Sequence, residues 1–271
     1  ALREGILEER LRIAGMDADE IGALTRVNRT GTRVVTAEGE KRSNEFLTFM
    51  LPAAFMGLLL VSVLTGGQYL MTTTLEEKSS RVVEVLLSAV SPMELMTGKV
   101  LGQLMVGVIT LGLYAGMGLV ALATFALLGF IDLTMIIYLV IFFVIAYFTV
   151  AALMAAIGAA VNDMREAQAM MMPIMLTMMI PWFIWFWIAR DPNSIVAVIL
   201  SLVPPVGPFV MMLRLGTATP PPFWQVALAI LLGIGGVIAS MWFASKVFRV
   251  GLLMHGKPPN FKTLIKWVRM A

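Results

Sequence analysis

The chain predicts an all-α membrane protein: a polytopic bundle of about five transmembrane helices, an amphipathic surface helix and a re-entrant external segment. Three observations predict it. Of the 271 residues, 59% are hydrophobic and only 14% charged, and mean hydropathy is +0.88. That composition lies outside the soluble globular range. Long runs carry no charge at all: 46–75, 100–131, 133–162, 167–189, 192–213 and 215–245. Between two of them lies TLEEKSSRVVEVLLSAVSPMELMTGKVLGQ at 74–103, a short mixed-charge stretch.

Residues 1–45 are polar, with Arg3, Arg10, Arg12, Arg26, Arg29 and Arg33 set against Glu4, Glu8, Glu9, Asp17, Asp19 and Glu20. They read as part of a small water-exposed domain. Residue 1 is alanine and no signal-peptide pattern follows, so the chain reads as a piece of a longer protein lacking an upstream span. The run 46–75 opens a transmembrane domain expected over 46–250.

The surface helix is expected over 75–90. Leu75, Val82, Val83, Leu86, Leu87 and Val90 recur at helical spacing, while Glu76, Glu77, Lys78, Arg81 and Glu84 fill the other face. Thr74 with Glu77 reads as a capping box that starts this helix. Ser91 with Glu94, with Pro92 in the first helical position, reads as a second box that starts the next.

A helical span needs about 20 apolar residues, and five of the charge-free runs qualify. The sixth, 192–213, holds Pro192, Pro204, Pro205 and Pro208. They cut it into pieces too short to cross, so it reads as re-entrant or interfacial. Pro173 and Pro181 fall inside the fourth span, where each removes a backbone donor and favours a kink. The last span leads into a basic tail, 251–271.

Charge sets the orientation. Lys78, Arg81, Lys99, Arg165, Lys246, Arg249, Lys257, Lys262, Lys266 and Arg269 fall on one side, and in short loops only Arg190 and Arg214 fall on the other. The basic side is cytoplasmic, which puts residues 1–45 outside. Trp182, Trp185, Trp187 and Trp224 gather at the predicted outer boundary.

The same inventory excludes several functions. With no cysteine and one histidine, His255, no metal site is expected. The basic pI of about 9.3 comes from the tail, so nucleic acid is not an expected partner. No span carries an ionisable residue in its middle, which argues against proton coupling. No GxxxxGK[ST] loop is present, so energy for transport comes from another subunit. The methionines Met164, Met170, Met171, Met172, Met175, Met178 and Met179 read as adaptable packing rather than a soft-metal path. Gly98 with Gly102, Gly112 with Gly116, and the row Ala151, Ala155, Ala159 permit close helix contact, within the chain or with a second copy. Glu76-Glu77-Lys78-Ser79-Ser80-Arg81 spells EExxxR, a motif of intramembrane CAAX-type proteases, but the histidines of such a site are missing.

The segment EEKSSRVVEVLLSAVSPMELMTGKVLGQ resembles the coupling-helix region of type-2 ABC transporter permeases, in particular the sodium-efflux, NatB-like branch. The order that follows is also similar: two long spans, the loop NDMREAQAMMMP, a proline-bearing span, the external SLVPPVGPFVMMLRL and a last span with a basic tail. The resemblance covers about residues 40–250. It implies a multi-pass subunit of a bacterial or archaeal inner membrane that is not itself an enzyme. It implies that Glu76, Glu77, Lys78, Arg81 and Glu84 contact a separate ABC ATPase dimer, which holds ATP and magnesium. A second permease copy, or a homologous permease, would complete the path, and sodium is the substrate the branch suggests. A protease built on EExxxR and a non-transporting structural subunit are the alternatives.

Overall fold

The computed structural model describes residues 33–36, 39–42, 45–80, 82–124 and 133–251. Expectations for the remainder of 1–45, for Arg81 and for the tail from 252 onward lie outside the described residues. Within the first unit, β1 (Arg33–Thr36) pairs antiparallel with β2 (Gly39–Arg42), with Arg33 opposite Arg42 and Thr36 opposite Gly39. The run Arg-Val-Val-Thr suits a strand because β-branched side chains pack well on a pleated surface.

The second unit is helical. Its elements are α1 (Glu45–Ser79), α2 (Val82–Ala89), α3 (Pro92–Thr124), α4 (Leu133–Ala160), α5 (Met164–Arg190), α6 (Ile195–Leu202), α7 (Gly207–Leu215) and α8 (Phe223–Gly251). Among the described residues, five helices are long and apolar enough to cross a membrane: α1, α3, α4, α5 and α8. The helices α6 and α7 have 8 and 9 residues, about 12–14 Å at 1.5 Å per residue, well short of a ~30 Å hydrocarbon core. The prolines end one helix and start the other, as the sequence predicts for 192–213.

The helix α4 is the hub. Phe142, Phe143, Tyr147, Val150, Ala151, Met154, Ala155 and Ala159 are all buried. A helix apolar on every side is one that neighbours enclose. Glycines on those neighbours allow the approach. A Cβ at Gly67 of α1 would stand 3.2 Å from Met154 and Val150, and one at Gly233 of α8 would stand 2.8 Å from Ile145. Gly158 returns the favour from α4, since a Cβ there would fall 2.5 Å from the Met71 carbonyl oxygen. Backbone cannot swing aside as a side chain can. Gly158→Ala is therefore expected to destabilise the bundle by about 1–3 kcal/mol, read as a lower thermal unfolding temperature in detergent.

The small-residue rows divide. Ala151, Ala155 and Ala159 are fully buried within the chain. Around Gly98, Gly102, Gly112 and Gly116 of α3, nothing lies within 4 Å of a Cβ position. Among the described residues, those four glycines meet no packing partner within the chain.

Candidate coupling site and its links to the spans

One end of the bundle gathers the end of α1, the whole of α2, the start of α3, the α4–α5 turn and the end of α8. The sequence expectation of one helix over 75–90 needs correction here. The helix α1 runs unbroken through Leu75, Glu76, Glu77 and Lys78 to Ser79, and only Val82–Ala89 forms the short helix. Thr74 therefore starts nothing. It lies inside α1, fully buried, with its Oγ1 lacking a hydrogen-bond partner. A Thr-x-x-Glu pattern caps a helix only where the backbone breaks. Here the apolar run simply continues, and Thr74 packs 3.0 Å from the Cβ position of Gly158. At 35 residues, α1 measures about 50 Å, so its last turns extend past a ~30 Å core.

Lys78 departs furthest from its expected place on the charged face. It is buried, and its Nζ donates to the carbonyl oxygens of Ala159 at 2.8 Å and Val161 at 3.1 Å. Those carbonyls close α4, where backbone acceptors lack intrahelical donors and the helix dipole is negative. The ammonium satisfies them while its stem fills apolar space. Glu77 forms an ion pair with Lys99 of α3. The final turn of α1 is thus tied to the α4–α5 turn by one residue and to α3 by the residue before it. Glu76 remains exposed, and Glu84 lies on α2.

The two flanking helix starts are closed by local chemistry. Ser91 donates from its backbone N and its Oγ to Glu94 Oε2, both at 2.8 Å, and Glu94 N donates back to Ser91 Oγ at 3.3 Å. Asp163 caps α5, accepting from Glu166 N at 2.9 Å, while Asn162 N donates to Glu166 Oε2 at 2.9 Å. Side-chain caps therefore start both α3, which follows α2, and α5. Leu87 packs against the core, whereas Val82 and Val85 project outward, Val85 with 71% of its surface exposed. Sequence reasoning placed Val82 on the apolar face of the helix and did not assign Val85. An exposed apolar pair on a charged, fixed helix is a surface suited to a protein partner.

At the other end, Arg214 of α7 is the most enclosed charge among the described residues, at 0% exposed. Its Nε donates to Pro192 O at 2.6 Å, Nη1 to Ser201 Oγ at 2.7 Å, and Nη2 to Gln225 Oε1 at 2.5 Å and Asn193 Oδ1 at 3.3 Å. All four acceptors are neutral. Burial pulls the guanidinium below its usual pKa. One side chain thus pins the α5–α6 loop, α6 and α8 to α7. The sequence had counted Arg214 only as an outer flanking charge.

Between the two ends, α1 and α5 enclose a cavity of about 760 Å³ lined by apolar residues that include Gly57, Leu64, Met179, Trp182 and Trp185. Pro173 and Pro181 both lie inside the continuous helix α5. Met170, Met171 and Met178 are buried, and Met172 is exposed. Among the described residues, no group of three or more histidines, cysteines or carboxylates could hold a metal ion.

Fold and sequence together define an integral, polytopic helical membrane protein. Residues 15–246 match the ABC-2 family transporter protein family, and the chain belongs to that family. Over 221 residues it is 28% identical to the uncharacterized protein MJ1024 of Methanocaldococcus jannaschii, covering 82% of this chain and 54% of that one. Over 270 residues it is 27% identical to the uncharacterized protein YhaP of Bacillus subtilis, covering 95% and 64%. The chain therefore spans roughly half to two thirds of the length of these relatives. No solved structure matches it.

Proposed function

We propose that the chain is the membrane half of an ATP-driven exporter in which α2, with the last turn of α1, is the coupling element. A separate ABC ATPase dimer binds ATP and magnesium and grips Glu76, Arg81, Glu84 and the exposed valines of α2. Closure of that dimer pushes α2, and the push enters the bundle through Glu77 and Lys78. The observation that carries this reading is the pair of ties at residues 77 and 78. Because α1 is unbroken from the α1–α5 cavity to those ties, a displacement of α2 must move the cavity wall. Proteins amplify small shifts at such a contact because packed interfaces are bistable.

In this reading the α2 end is cytoplasmic in a bacterial or archaeal inner membrane, residues 1–45 belong to an external domain and 251–271 form a cytoplasmic tail. A second permease copy or a homologous permease completes the path. The substrate is an ion or a small amphipathic molecule, with sodium suggested by the NatB-like resemblance. The α1–α5 cavity is in the usual size range for small-molecule sites, which suits an amphipathic molecule at least as well. Co-purification of the tagged chain with its ABC ATPase, followed by ATP-driven efflux from reconstituted vesicles, tests the proposal. A chain that captures no ATPase would favour a structural subunit, and peptidase activity lost on Glu76→Gln would favour the protease reading.

A further inference from the structure

A second, smaller cavity of about 180 Å³ lies between α1 and α3, and its lining is polar where the α1–α5 cavity is apolar. Ser62, Thr65 and Tyr69 contribute from α1, Gln103 and Thr110 from α3. All sit near the middle of their helices, at the depth where hydrocarbon offers no hydrogen bonds. Gly66 and Gly107 also line it, and both exist to admit Tyr147 of α4. A Cβ on Gly66 would stand 2.7 Å from the Tyr147 ring and 3.6 Å from its hydroxyl, and one on Gly107 would stand 3.0 Å from the ring. Tyr147 therefore lies behind these glycines rather than in the lining itself.

One hydroxyl in the lining has no partner. Ser62 Oγ is buried and makes no hydrogen bond. Thr72, Thr110 and Thr149 each fold back onto the carbonyl four residues earlier, at 3.0, 2.8 and 2.8 Å. Ser62 does not take that route, although Leu58 offers a carbonyl at the same spacing. Thr74 Oγ1 is also unpaired, but it packs against Gly158 and is not part of this lining. A buried hydroxyl left unpaired costs about 1–3 kcal/mol, so Ser62 calls for an occupant that pairs it.

We propose that this groove binds an uncharged hydroxyl- or amide-bearing group of the exported molecule, with Ser62 as its hydrogen-bonding contact. The proposal rests on the exporter reading above. Every lining residue is neutral, and an ion at this depth would ordinarily be met by a charged partner. The volume is below that of a site for a whole drug-sized molecule, so it holds the polar group alone. The apolar remainder lies along Val106 and Ile109 of α3, which project beside the opening at 50% and 71% exposed.

This chain has no cysteine, so Thr65→Cys, at an exposed position on the rim, gives it a single reporter thiol in native membranes. N-ethylmaleimide should alkylate it. Decanol and decanamide, the probes, should each slow alkylation by about tenfold, while decanoate, decylamine and sodium or potassium chloride should not. Adding Ser62→Ala should weaken decanol protection about fivefold to tenfold, as expected for one lost hydrogen bond of about 1 kcal/mol. A thiol that does not react, protection by the charged amphiphiles or the salts, or protection unchanged in Ser62→Ala would each overturn the site. The readout needs no ATPase, so it fails separately from the co-purification that tests the exporter reading.

Discussion

Lys78→Met is expected to lower ATP-driven export by tenfold or more while the permease still binds its ATPase. Methionine keeps the apolar stem and its burial but removes the ammonium. The carbonyls of Ala159 and Val161, which now accept at 2.8 and 3.1 Å, lose a charged donor. Hydrogen bonds to charged groups contribute about 1.5–3 kcal/mol each, so a loss of about 3 kcal/mol in bundle stability should accompany the functional loss. Of the two polar ties at the α1 end, only the Glu77–Lys99 pair to α3 would then remain. A push on α2 would be absorbed between α2 and α1 instead of reaching α4. ATP hydrolysis measured beside vesicle efflux reads this directly: hydrolysis should persist and efflux should fall. Efflux that follows hydrolysis at the native ratio would remove Lys78 from the transmission path.

Arg214→Leu should cost the protein still more in stability, about 3–5 kcal/mol. The leucine leaves Ser201, Asn193, Gln225 and the Pro192 carbonyl without their donor, and of these Ser201 and Pro192 are buried. Lysine should rescue little. Its single ammonium cannot reach acceptors on three sides as the planar fork does. Thermal unfolding of the two variants in detergent should show a drop of about 10 °C for each. A native-like unfolding temperature in Arg214→Lys would mean that charge alone, rather than the fork, holds α6 and α7.

The spans were legible because hydrocarbon imposes a simple rule, about 20 residues without charge, and the chain obeys it five times. The non-spanning segment was legible for the converse reason, since Pro204, Pro205 and Pro208 break the only other long apolar run. What failed was local pattern read without its surroundings. Thr74 and Glu77 have the spacing of a cap, but the tie from Lys78 to Ala159 and the close pass at Gly158 hold the helix straight through them. Both contacts join residues more than 80 positions apart, beyond any motif. Ser91 and Glu94 lie three residues apart, so their exchange of hydrogen bonds depends on nothing distant. Arg214 looked like a flanking charge because its acceptors lie 11 to 22 residues away and are individually unremarkable. Gly98, Gly102, Gly112 and Gly116 of α3 fit a packing motif yet meet nothing among the described residues, whereas Gly158 belongs to no such motif and makes the tightest approach, 2.5 Å to the Met71 carbonyl oxygen.

The claim that α2 is the contact for the ATPase is tested most directly by photo-crosslinking at Val85, which is 71% exposed. A benzoylphenylalanine there should form an adduct with the ABC ATPase on illumination, and the yield should change when ATP and magnesium are added. The same group at Ile195 of α6, equally exposed at the opposite end of the bundle, should form none. An ATPase adduct from Ile195 and none from Val85 would contradict the account.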